Sequence, residues 1–126
     1  MGRRPFLAVG TLVMLVAASP LFAHHAWPVN RATLVTVKGT VTTYTWGNPH
    51  VMIALDVAAA DGSIEKWDVG GPSPNRMTGN GWDLNTLKPG DVITGTGYRF
   101  SDGSRVVQLE KIVMANGREM LLYGRR

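Results

Sequence analysis

The chain has 126 residues, with 13 basic and 9 acidic side chains, three histidines and no cysteine. Disulfides, thiolate zinc sites and a lipid-bearing N-terminal cysteine are therefore excluded, and the length suits one small domain with one core. Thirteen basic residues less Arg3 and Arg4 leave eleven against nine acidic ones; that excess, even with Arg125-Arg126 at the end, is too small for a nucleic-acid footprint.

Arg3 and Arg4 precede an apolar run from Phe6 to Ala18, followed by Ser19-Pro20 and the small residue Ala23. A charged start, an apolar middle and a small-residue end make a secretory signal, residues 1–23, cut after Ala23. The run is shorter than the ~20 apolar residues of a membrane-spanning helix. Arg3-Arg4-Pro5-Phe6-Leu7 also fits the twin-arginine export pattern, so both export routes stay open. The expected product is a periplasmic or secreted bacterial domain, residues 24–126, with no membrane span.

A short polar and aromatic lead-in, His24 to Arg31, comes first in that domain. Strand signals then dominate. Thr33 to Trp46 is rich in Thr and Val, with Gly39 marking a bulge or bend. Gly47-Asn48-Pro49 is a turn. A second strand, His50 to Val57, places Val51, Ile53, Leu55 and Val57 on one face. Asp61-Gly62 signals a hairpin into a third strand, Ser63 to Val69. Gly71-Pro72-Ser73-Pro74 breaks the pattern; Ser73 is placed to cap a short helix with Pro74 at its first position. Asp83 is placed to cap one more turn, and Lys88-Pro89-Gly90-Asp91 is a strong turn. Strands four (Val92 to Phe100) and five (Arg105 to Met114) flank Asp102-Gly103, and Asn116-Gly117 leads to a last short strand, Glu119 to Tyr123. Three strands, a helical insert, two strands and a terminal hairpin arm describe an all-β, OB-like Greek-key barrel of five to six strands, with a plain β-sandwich as competitor.

Metal-ligand chemistry gathers at one place. A cut after Ala23 makes His24 the N-terminus, so a free α-amine stands beside the imidazoles of His24 and His25. A terminal histidine chelates through its amine and its own Nδ1, and a further histidine opposite completes a T-shaped three-nitrogen site. Such nitrogens suit Cu(II). The amine, with a reference pKa of about 7.7–8.0, sheds its proton at little cost near neutrality. His50, at the start of strand two, is the candidate opposite ligand, and His25 an alternative. Trp27 and Trp46 are candidates for a ligand face because both lie near these histidines in sequence; Tyr44, Tyr98 and Phe100 add to the aromatic supply. Trp67 and Trp82 are expected in the core. Asp61, Asp91 and Asp102 have turn roles, and no carboxylate pair, nucleophile elbow, phosphate loop or dinucleotide fingerprint is present.

Several short segments, in order, resemble a known group. Ala23-His24-His25, Lys38-Gly39-Thr40-Val41, Asn48-Pro49-His50, Trp67 with Gly70-Gly71-Pro72, Leu87-Lys88-Pro89-Gly90-Asp91 and Gly117-Arg118-Glu119 are similar to the secreted bacterial domain-of-unknown-function family 6152. The resemblance implies an exported domain without an assigned function and supplies no catalytic residue. The histidine pair and the Asn-Pro-His turn are the positions it offers as functional.

The leading expectation is a periplasmic copper-binding protein using His24, His50 and His25. The alternative is a non-catalytic module for an unknown protein or small-molecule partner, binding without metal. A copper-dependent oxidative enzyme ranks last, because no substrate surface is evident. Nucleic-acid binding rests on fold analogy alone and runs against the export signal.

Overall fold

A computed structural model describes residue 2 and residues 26–124. The expected signal segment and its cut site, His24, His25 and the Arg125-Arg126 end lie outside the described residues. No helix among those described is long and apolar enough to cross a membrane.

Six strands form one sheet: β1 (Val29–Thr45), β2 (Met52–Ala58), β3 (Ile64–Gly70), β4 (Val92–Phe100), β5 (Val106–Met114) and β6 (Glu119–Leu121). Their order is β3-β2-β1-β4-β5-β6, and a parallel pairing of β3 with β5 closes the sheet on itself. This is the OB-like barrel expected from the sequence. The long β1 serves both halves: Val29 to Thr40 pairs with β4, and Thr40 to Thr45 pairs with β2. It begins at Val29, so part of the expected lead-in is strand; Ala26 to Pro28 stay outside the ladder.

Of three register shifts in the ladders, two set which core side chains face inward. Val41 pairs with Leu55 but Thr43 with Ala54, so Thr42 is the extra residue, and its Oγ1 donates to the Ala54 carbonyl at 3.2 Å. The alternation Val37, Val41 therefore continues as Tyr44 and Trp46, both packed against the core. On β5, Thr96 pairs with Lys111 but Gly97 with Leu109, which leaves Glu110 extra and turns both Leu109 and Ile112 inward. Gly39 is not a bulge; a Cβ there would lie 2.7 Å from the Asp56 carbonyl, so the glycine permits a close approach of β2 instead.

Helix α1 (Pro74–Met77) and a following 3-10 turn (Thr78–Asn80) lie between β3 and β4. Ser73 makes no side-chain cap. Pro74 at the first turn fixes the helical φ and needs no N–H acceptor, which suffices for so short a helix. Met77, Trp82 and Leu87 complete the core, with Trp82 Nε1 donating to the Leu121 carbonyl at 2.7 Å. Asp83 holds its turn through the Asn85 N–H, at 2.7 Å.

The narrow barrel depends on glycines in β4. A Cβ on Gly95 would meet the flexible end of Leu109 at 2.7 Å, whereas one on Gly97 would fall 2.0 Å from the Gln108 carbonyl oxygen. Backbone cannot yield as a leucine tip can. Gly97→Ala should therefore lower unfolding free energy by about 3 kcal/mol, the upper end of overpacking costs, and Gly95→Ala by less; urea unfolding followed by tryptophan fluorescence measures both.

Tyr44 donates its hydroxyl proton to the Asp83 carbonyl at 2.7 Å. Burial pushes its pKa up to about 12, with the nearby Asp83 charge adding to the rise. An unfolded tyrosine ionises near pH ~10. Between those values the unfolded chain loses a proton that the folded chain keeps, so this contribution to stability is whole below pH ~10 and is lost as pH rises towards 12. Urea midpoints between pH 9 and 12 should fall less steeply for Tyr44→Phe than for the parent chain.

Candidate functional site

Two of the candidate residues, Trp27 and His50, meet where the lead-in crosses the barrel's β3–β5 junction. Gly70 is the residue that makes this possible. It pairs with Met52 of β2 on one side and Gln108 of β5 on the other. A Cβ at Gly70 would stand 2.6 Å from both the Val51 carbonyl oxygen and Met52 Sδ, and 3.1 Å from Trp27 Cη2. Only a bare backbone leaves a seat for the indole.

The strand ladder continues one step past Gly70. The Gly71 N–H donates to the Val51 carbonyl and the Val51 N–H to the Pro72 carbonyl, each at 3.0 Å. The Gly71 carbonyl then lies 3.2 Å from His50 Nδ1. A carbonyl only accepts, so Nδ1 carries the proton in this bond, and Nε2 of the neutral ring holds the free lone pair. A histidine held on a backbone carbonyl through one nitrogen presents the other in the manner of an oriented metal ligand.

Trp27 packs edge-on against His50, with ring centroids 5.0 Å apart, and against Phe100 at 5.6 Å. Its Nε1 is buried and has no partner among the described residues. The lead-in is fixed by the Pro28 carbonyl, which accepts from the Ser101 N–H at 2.8 Å. Between these groups lies an open cleft of about 290 Å³, lined by Ala26, Trp27, Pro28, His50, Met52, Phe100 and Val106. No carboxylate lines it. Ala26 is the residue immediately after His25 in the chain.

The structure thus brings Trp27 and His50 together and adds Met52, which sequence inspection passed over. The signal was present: residues two apart in an extended chain share a side, so His50 and Met52 point alike. Trp46 is not part of the cleft. The Thr42 bulge turns it towards the core beside Tyr44, with ring centroids 6.3 Å apart. Trp67 packs partly buried against the core under the Arg99 guanidinium, 5.0 Å from its ring centroid, and Trp82 is fully buried.

The turn carboxylates keep structural work. Asp61 bonds to Ser63 and Asp102 to Ser104, and in both the serine hydrogen bonds hold the carboxyl below its usual range; Lys88 does the same for Asp91. Among the described residues, no three of His, Asp or Glu converge as a metal-holding group. His24 and His25 are outside that comparison.

Residues 12–108 match a family of unknown function (DUF6152), and the chain belongs to that family. No curated protein matches it. Among solved structures it is similar to a crystal structure of the ZRD-deleted mutant of TiaS in complex with agmatine, at 20% identity and a TM-score of 0.49, over 74% of this chain and 23% of the other. It is also similar to a crystal structure of TiaS in complex with a tRNA and ATP, at 18% identity and a TM-score of 0.48, over 73% of this chain and 20% of the other. The chain spans about a fifth of the length of those proteins.

Gly70→Ala tests the architecture of the cleft. The new methyl group collides with a carbonyl and crowds Trp27 and Met52, so the variant should lose about 1–3 kcal/mol of stability and show red-shifted tryptophan emission as Trp27 lifts from its seat. In a Trp27→Phe background the shift should vanish.

Proposed function

We propose that this protein is exported to the periplasm, is cut after Ala23, and binds one copper ion at the mouth of the cleft. The new terminal amine and the Nδ1 of His24 form a chelate, His50 Nε2 is the ligand opposite, and His25 is a further donor. One observation carries the reading: the Gly71 carbonyl fixes His50 Nδ1 as a donor, leaving Nε2 as the ring's free lone pair, and the ring lines the same cleft as Ala26. The residues that would supply the other nitrogens are the two that precede Ala26 in the chain.

The chemistry of the donor set fits Cu(II). Imidazole and amine nitrogens are borderline ligands that copper binds most tightly among the divalent first-row ions. The hydrogen bond to Gly71 orients the His50 ring, which lowers the cost of ordering it on binding. Trp27 and Phe100 exclude water from one side. The role proposed is capture or delivery of the metal.

Cu(II) titration of the processed chain, its N-terminus verified by mass, should give one tight site whose affinity climbs as the amine loses its proton around pH ~8. His24→Ala, His50→Ala or acetylation of the amine should each weaken it by roughly 100-fold. Equal affinity in a form extended at the N-terminus overturns the reading.

The apolar walls favour a second reading. Trp27, Met52 and Phe100 suit a small apolar or peptide ligand bound without metal. Trp27 emission that responds to such ligands and not to copper selects it.

A further inference from the structure

We propose that the cleft also binds Cu(I), through the Met52 thioether together with His50 Nε2. This deepens the copper reading, on which it rests to the extent that His50 serves both oxidation states. The argument begins with the cleft walls. Among the side chains lining the cleft, alanine, proline, phenylalanine and valine offer no lone pair, and the indole N–H of Trp27 only donates. His50 and Met52 are the two that can ligate.

Their pairing is built by the backbone. His50 and Met52 are two residues apart entering β2, on the same side of the chain. Gly70 holds Met52 Sδ close: the sulfur stands 2.6 Å from the place a Cβ would occupy, so a side chain there would displace it. The glycine that seats Trp27 thereby also seats the thioether. A leucine would wall an apolar cleft equally well; methionine adds a soft sulfur.

Charge argues for the monovalent ion. The cleft walls carry no carboxylate to offset a second positive charge, and they are largely apolar. A desolvation cost that rises with the square of the charge favours Cu⁺ over a dication in such surroundings. Thioether sulfur is a soft ligand that selects Cu(I), whereas amine nitrogen favours Cu(II). The two oxidation states thus draw on overlapping but different donors: the chain terminus with His50 for Cu(II), and Met52 with His50 for Cu(I).

The test measures both ions on the same proteins. Anaerobic Cu(I) titration against a chromophoric competitor should show Met52→Leu, a volume-conserving change, weakening Cu(I) by roughly tenfold or more, while Cu(II) affinity stays within about twofold. In the parent chain labelled with [ε-13C]methionine, Ag(I) as an oxygen-stable stand-in should shift the Met52 methyl resonance and leave those of the buried Met77 and Met120 in place. That second measurement needs no variant to fold. An unmoved Met52 methyl, or unchanged Cu(I) affinity in Met52→Leu, overturns the proposal. A Met52 response that persists in the N-terminally extended form, where Cu(II) binding is unaffected by the extension, sinks the terminal-histidine reading and upholds the thioether site.

Discussion

The absence of side-chain reach at Gly70 and Gly71 is the constraint on which barrel and cleft both depend. Gly70 has neighbours on two sides, Met52 in β2 and Gln108 in β5, so it stands where the sheet closes on itself. Gly71 comes similarly close to the Leu122 side chain, where a Cβ would lie 2.6 Å from Cδ2. Closure and site construction are therefore one event in the fold: the approach that completes the barrel also clears a seat for Trp27 and turns the Gly71 carbonyl towards His50. Pro72 then ends the strand, accepting from Val51 without an N–H of its own to place.

The lead-in is held to this junction by more than the indole. Gln108 is a buried polar side chain of the barrel, and its amide group is satisfied from both ends of the chain. Arg31 Nη2 donates to its Oε1 at 3.2 Å, and its Nε2 donates to the Tyr123 hydroxyl at 2.8 Å. Arg31 also lies over Tyr98, 5.3 Å from the ring centroid. A buried amide with both ends paired stabilises a single arrangement, whereas a half-satisfied one would cost about 1–3 kcal/mol. Residues 26–31 are thus fixed by packing at Trp27, by a backbone bond at Pro28 and by the Arg31–Gln108 pair, which makes the cleft wall part of the scaffold.

Much of the fold was legible because the barrel keeps simple local rules. Val51, Ile53 and Leu55 alternate inward as a half-buried strand requires, and Asp61-Gly62, Asp102-Gly103 and Asn116-Gly117 each place glycine at positive φ in a turn. The bulges were not legible. Thr42 and Glu110 are ordinary strand residues, and only the pairing register shows that each is extra. That omission explains the misplacement of Trp46: sequence proximity set it near His50, but the shifted register sends it to the core. His50 was legible as a rare ligand type next to a turn. Met52 was overlooked because the alternation that buries Val51 and Ile53 assigns Met52 to the outer face, and the sequence does not reveal that the lead-in folds back over that face.

The β3–β5 seam joins only three residue pairs, Asp68–Val106, Val69–Val107 and Gly70–Gln108, whereas β1 and β4 share eight. The floor under Trp27 is therefore more lightly stitched than the β1–β4 wall. Parting along that seam would alter the spacing of cleft groups contributed by β2 and β5 and would also reach the core, because the seam pair Val69–Val107 is fully buried in it. The floor of the cleft is thus also a wall of the core, so the two share one boundary.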